Sequence, residues 1–270
     1  MIVIEDPDDP RVAMFRLNER GLTNRPQRRI DEGGGLFMAE GDLVVERALD
    51  AGCIPVLALV DRDRPPAVVD RLAQHVSVYA GGDRLRASVT KLGMPYDVVA
   101  LFERPPRTTE VLLAAEATRL ILIEAVDNPA NIGSIVRNAL GLGWHGLIID
   151  TTSADPLARR ALRVSMGQAL HLPHARVADL ARSAEGLKTQ GWTVCALTPS
   201  SDAIPLDDLP PEVLTSSAKV ALVVGSERTG LTPVIMAAAT YRVCIPMHSG
   251  VDSLNAAAAT AVACWHLRPR

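Results

Sequence analysis

The chain has 270 residues, 48% of them hydrophobic and 22% charged, with a formal net charge of −3. That composition excludes wholesale disorder and supplies ample material for a core, while the charge leaves polyanion recognition to local clusters only. No apolar run is long enough to span a bilayer, residues 1–6 lack the pattern of a secretory signal, and Cys53, Cys195, Cys244 and Cys264 stand singly; a cytoplasmic protein with free thiols is expected.

Residues 11–29 hold Arg11, Arg16, Arg20, Arg25, Arg28 and Arg29 against one acid, Glu19, which reads as a solvated face or as a phosphate-binding patch. Leu43, Val44, Ala48 and Leu49 predict a helix over 42–51. Residues 54–60 read as a buried strand, 66–73 as a helix, and 76–79 and 98–102 as strands. Arg84, Arg86 and Lys91 add positive charge just before the last of these. The result is a small α/β unit of about one hundred residues. Residues 103–109 carry two prolines among charged and polar neighbours and read as a linker between domains at 1–106 and 107–270. Beyond it, strands are predicted over 120–126, 146–149, 193–197, 220–224 and 241–245, with helices over 132–142, 156–161, 178–190, 233–238 and 256–267. Alternating strands and helices imply a mostly parallel sheet covered on both faces.

Three blocks in this second half set polar side chains where apolar strands end, the usual place for ligand sites in open α/β sheets. The first runs from Asn131 through Arg137 to Ala139. Asn131 suits a helix N-cap, and Arg137 suits either a solvated position or an anion contact. The second is Gly225-Ser226-Glu227-Arg228-Thr229-Gly230-Leu231, readable as a glycine turn in which Glu227 caps a helix at Pro233. The third is Ile245-Pro246-Met247 followed by Ser253-Leu254-Asn255, where Ser253 or Asn255 suits a cap of the last helix, yet two polar residues beside Leu254 directly after a loop containing Gly250 read as more than capping. His171 and His174 lack partners at metal-ligand spacing, so no metal site is expected. An early G-x-G-x-x-G, a G-x-S-x-G elbow and a P-loop are all missing, which argues against dinucleotide oxidoreductases, hydrolases and NTPases of those classes.

Together the blocks closely resemble the three motifs of the SpoU/TrmH family of SPOUT-class RNA methyltransferases, over essentially all of residues 120–267. Residues 152–169 resemble the family's intermediate segment, and residues 37–52 more loosely resemble its N-terminal substrate-binding domain, similar to ribosomal protein L30e. The resemblance implies an α/β sheet whose C-terminal part forms a deep trefoil knot, and a homodimer packed through that knot with both subunits contributing to each active site. It implies S-adenosylmethionine as cofactor, held by Leu197, Gly225, Gly230, Ile245, Met247 and Leu254, and no metal. The implied reaction is methyl transfer to a ribose 2′-hydroxyl of rRNA, ahead of tRNA. Asn131, Arg137, Glu227, Ser253 and Asn255 then form the catalytic centre. Because a guanidinium stays protonated, Arg137 is expected to clamp a phosphate and stabilise the forming alkoxide, oriented with the ribose by Glu227 and Asn255. RNA contacts are expected from Arg16, Arg20, Arg25, Arg28, Arg29 and Arg163, with Arg84, Arg86 and Lys91 extending that surface and Arg159, Arg160 and Arg163 lining the catalytic mouth. Arg228-Thr229 stands where family members often carry smaller residues. The alternative is a non-enzymatic RNA-binding or ribosome-assembly factor that retains the knot.

Overall fold

The computed structural model describes residues 1–23, 34–247 and 253–269. The described chain falls into two compact units. One gathers the residues up to Pro106 with Leu157–His171; the other holds Arg107–Pro156 and the chain from Leu172 onward. Residues 157–171 therefore leave the sequence-predicted domain 107–270 and pack with the first unit.

Among the described residues the first unit has a five-stranded sheet: β1 (Ile2–Val3), β2 (Leu36–Glu40), β3 (Pro55–Asp61), β4 (Val78–Gly81) and β5 (Val98–Glu103), in the order β1-β4-β3-β5-β2. β1, β4 and β3 run parallel, and β5 is antiparallel to both β3 and β2. Val12, Phe15, Leu22, Met38, Leu59 and Leu101 fill the core on one face, and Phe37 stacks on Phe102. β2 ends in Glu40, whose side chain is wholly buried. Arg159 and Arg163, from the helix Arg159–Val164, both pair with its carboxylate, Arg159 Nε donating at 3.0 Å. A carboxylate buried without such partners would cost several kcal/mol, about 3–5 in measured cases. Arg163 is thus committed within the first unit instead of standing free for RNA.

The same correction applies to Arg86, which lies not on an open surface but inside, on the helix Asp83–Thr90, paired with Asp61 and Asp83 and bonded to the carbonyls of Gly81 and Tyr96. Burial pushes the Asp61 carboxyl up, but the amides of Arg64 and Asp63 and the Arg86 guanidinium outweigh it and hold the group below its usual range.

In the second unit a seven-stranded sheet comprises β6 (Arg119–Glu124), β7 (Gly146–Asp150), β8 (His174–Val177), β9 (Thr193–Leu197), β10 (Ile204–Pro205), β11 (Val220–Gly225) and β12 (Tyr241–Cys244) among the described residues. Their order is β10-β12-β9-β11-β6-β7-β8, and every pairing is parallel. The strands are near-continuous Val, Ile, Leu and Ala because both faces are covered. On one face Leu120, Leu122, Val194, Ala221 and Val223 meet Leu113, Leu180, Leu187 and Ile235 from the helices Glu110–Glu116, Leu180–Thr189 and Pro233–Ala238. The helices Pro129–Gly141 and Ala256–His266 pack on each other, and the second also packs on β11.

The first of these starts at Pro129, three residues before the predicted start. Asn128 is its N-cap, accepting from the Ala130 N–H, so the expected capping role does not fall to Asn131. Proline at the first helical position forfeits only a donor that would have no partner there. The predicted linker also contains a buried element: Arg107 pairs with Asp155 at 3.2 Å, and both side chains are nearly inaccessible. Arg119, fully buried at the start of β6, donates to the carbonyls of Leu267 (2.7 Å), Thr215 (2.9 Å) and Ala218. It ties the end of the last helix to the stretch before β11. Cys53, Cys195 and Cys264 are buried free thiols, with Cys195 pushed up to about 12 by burial; Cys244 is half-buried.

Candidate functional site

The C-terminal ends of three neighbouring parallel strands open on one cavity of about 490 Å³ in the second unit. Leu197 ends β9, Gly225 ends β11, and Ile245 and Met247 follow β12. Gly230, Leu231, Met236 and Leu254 complete an apolar wall, and Thr198, Ser200, Glu227 and Ser253 contribute polar groups. All six residues expected to hold a cofactor line this single space. Thr198 and Ser200 were not foreseen; a polar run directly after β9 is the signal that could have found them.

The turn after β11 has the geometry its glycines predict. Gly230 has φ +66° and donates its N–H to the Ser226 carbonyl at 2.9 Å. A Cβ on Gly225 would lie 2.8 Å from the carbonyl carbon and oxygen of Gly230 and from a Leu231 methyl, so only glycine permits so close a return of the backbone. The exit is fixed by Thr232, which caps the helix Pro233–Ala238 and gives both its N–H (2.8 Å) and its hydroxyl (2.7 Å) to Glu124 at the end of β6. Glu227 is therefore not the cap of that helix.

Glu227 instead reaches the start of the last helix. Its Oε1 accepts three N–H groups: Asn131 Nδ2 at 2.9 Å, the Ala256 amide at 3.1 Å, and Asn255 Nδ2. Asn255 Nδ2 also donates to Asn131 Oδ1 at 3.2 Å, while its Oδ1 accepts from the Ala257 and Ala258 amides as the N-cap of Ala256–His266. Capping and site-building are thus one role for Asn255. A carboxylate at a helix N-terminus gains about 0.3–1 kcal/mol from the aligned peptide dipoles. With Oε1 saturated, Oε2 has no donor among the described residues and is the open acceptor at the cavity rim.

Three of the five expected catalytic residues, Asn131, Glu227 and Asn255, form one hydrogen-bonded cluster, and Ser253 lies on the same cavity. Arg137 does not join them. Six positions beyond Asn131 it lies about 120° around the helix, exposed, with no hydrogen-bond or ion-pair partner among the described residues. On the Asn131 side, two turns along, stands Asn138, whose Nδ2 holds the Ala257 carbonyl at 3.2 Å. Of the expected RNA-binding arginines, Arg16 pairs with Asp8, Arg20 is exposed, and Arg25, Arg28 and Arg29 lie outside the described residues.

Comparison with known proteins agrees with this geometry. Residues 118–265 match the SpoU rRNA Methylase family. An uncharacterised tRNA/rRNA methyltransferase of Mycobacterium tuberculosis is 38% identical over 96% of this chain and 88% of its own length. The 23S rRNA (guanosine(2553)-2′-O)-methyltransferase RlmP of Bacillus subtilis is 27% identical over 86% of this chain and 88% of its own. Among solved structures, the SpoU methyltransferase AviRb of Streptomyces viridochromogenes in complex with AdoMet superposes with a TM-score of 0.76 at 26% identity, covering 96% of this chain and 97% of that one. The motif match, the full-length relatives and the cavity at the strand ends converge: the chain belongs to the SpoU rRNA methylase family.

Proposed function

We propose that this chain is an S-adenosylmethionine-dependent RNA methyltransferase acting on a ribose 2′-hydroxyl. The observation that carries the reading is the Glu227 carboxylate, anchored through Oε1 by Asn131 and Asn255 and open through Oε2 on the rim of an apolar cavity. The residues present fit the cofactor. The cavity lies within the roughly 300–1,000 Å³ of small-molecule sites, and Gly225 forms a cradle that any side chain would fill. Leu197, Leu231, Ile245, Met247 and Leu254 offer apolar contact, and Thr198 and Ser200 offer polar contact. When bound, S-adenosylmethionine supplies an electrophilic methyl on a sulfonium.

The chain's own part is alignment and proton handling. Glu227 Oε2 accepts the hydrogen of the attacking hydroxyl and turns its lone pair toward the cavity. Asn131 and Asn255 keep that carboxylate in one rotamer, which is the positional control in-line transfer requires. Arg137 clamps a substrate phosphate and stabilises the developing alkoxide, acting in the site of a second subunit. Its exposed, unengaged state supports this, as does the apolar stripe Ala258, Val262 and Trp265 left exposed on the last helix, which suits a homodimer face. A trefoil knot in the C-terminal part is what the resemblance to the SpoU/TrmH family implies. The first unit, a mixed α/β sheet, acts as the RNA-binding domain similar to ribosomal protein L30e. No described helix is long and apolar enough to cross a membrane.

Incubation of the purified chain with labelled S-adenosylmethionine and separate rRNA and tRNA pools tests the reading. Label is expected on a ribose 2′-oxygen in rRNA. Label on a base, or binding of RNA with no transfer to either pool, would overturn it.

A further inference from the structure

Arg228 follows Glu227 in the turn that borders the cavity, and its side chain is 80% exposed. Its Nη2 donates to Asp127 Oδ2 at 2.8 Å, and Asp127 is itself 65% exposed. An ion pair this open to water is weakly held and readily exchanged. Its two ends differ in fixity. The strand-to-helix loop holding Asp127 is pinned: Ala125 N–H donates to Asp150 Oδ2 at 3.2 Å, Val126 N–H to the Ser153 hydroxyl at 2.9 Å, and Ala154 N–H to the Val126 carbonyl at 2.9 Å. Arg228 has a long side chain on a turn, held locally by its N–H to Ser226 Oγ at 3.2 Å. The arginine is thus the partner free to move.

The place of the pair in the fold bears on what it can grip. Asp127 immediately precedes Asn128, the cap of the helix that delivers Asn131 to Glu227. The guanidinium thus joins the turn on the cavity rim to the loop that leads into that helix. Resting on the reading of the chain as an RNA methyltransferase, we propose that Arg228 grips a backbone phosphate of the RNA next to the target ribose, and that Asp127 occupies this grip until RNA arrives. A guanidinium meets phosphate with two parallel charge-assisted hydrogen bonds, whereas here it gives Asp127 one, so phosphate displaces the carboxylate. The cofactor's carboxylate is the competing anion, and the experiment separates the two.

The full chain, Arg228→Ala, Arg228→Lys and Asp127→Asn are compared for ribosomal RNA binding across a salt series and for S-adenosylmethionine binding by calorimetry. Arg228→Ala is expected to weaken RNA binding and to reduce the slope of log K against log salt by about one phosphate contact, with cofactor affinity unchanged. Arg228→Lys is expected to keep the slope while losing part of the affinity. Asp127→Asn removes the competitor and is expected to tighten RNA binding by up to about fivefold. An unchanged salt slope in Arg228→Ala, weaker RNA binding by Asp127→Asn, or loss of cofactor affinity in place of RNA affinity would each overturn the assignment. If the unaltered chain fails to methylate RNA, the functional reading fails and this inference with it. If it methylates RNA while Arg228→Ala keeps the original slope, the inference alone fails.

Discussion

Replacing Glu227 by Gln keeps the shape of the side chain and an oxygen at Oε1 but removes its charge and fills the open Oε2 position with an NH₂ group. Three N–H donors converge on Oε1, from Asn131, Asn255 and Ala256. A hydrogen bond to a charged group contributes about 1.5–3 kcal/mol against about 0.5–1.5 for a neutral one. Three such downgrades total roughly 3 kcal/mol, and the helix N-terminus adds a loss of about 0.3–1. Glu227 is exposed to water, which screens all of these, so about 1–2 kcal/mol is the expected net cost. For a unit of this size that corresponds to a melting temperature lower by about 2–8 °C. Activity should fall much further, by about 10²–10⁴ in kcat, because Oε2 no longer accepts the hydroxyl proton. Thermal unfolding followed by circular dichroism and single-turnover methyl transfer read the two effects separately. A variant that melts with the parent and transfers at more than a tenth of its rate would refute both the anchoring of Oε1 and the role of Oε2.

The remaining predictions concern stability. His174 lies in the second unit with Nε2 buried and unpartnered among the described residues, and burial pushes its imidazole down to about 4. Its unfolded value is 6.5, so the unfolded chain takes up the proton first as pH falls. Stability is full above pH 6.5 and declines by about 3 kcal/mol between 6.5 and 4; urea midpoints over that range should fall in the parent and stay flatter in His174→Gln, and parallel curves would count against the assignment. Arg86→Met leaves Asp61 buried without its cation and should destabilise the first unit by about 3–5 kcal/mol; a denaturant midpoint close to the parent's would show that the pair is not needed.

Much of the second unit was legible because buried parallel strands are apolar on both faces. The strand over 193–197 and the helix over 233–238 fall where the spacing predicts. The six cavity residues were legible too, since strand ends in a parallel sheet share one edge. What resisted reading depends on partners far along the chain. Residues 37–41 suggested no element, because a strand ending in a glutamate looks half-exposed until Arg159 and Arg163 supply its charge. Arg86 looked like surface because Asp61, its buried partner, is twenty-five residues away. Arg119 reads as a residue before a strand, and nothing local shows that it caps carbonyls near the end of the chain.

The excursion of Leu157–His171 into the first unit bears on how such a protein can be inherited or recombined. The described chain passes between units at 106–107, 156–157 and 171–172, so residues 1–106 are not a detachable cassette. Replacing residues 1–106 with those of a relative would remove Glu40 and leave Arg159 and Arg163 of this chain facing whatever side chain the relative supplies there. A change at position 40 is therefore tied to positions 159 and 163, well over a hundred residues along the chain, and the two segments can be exchanged only together.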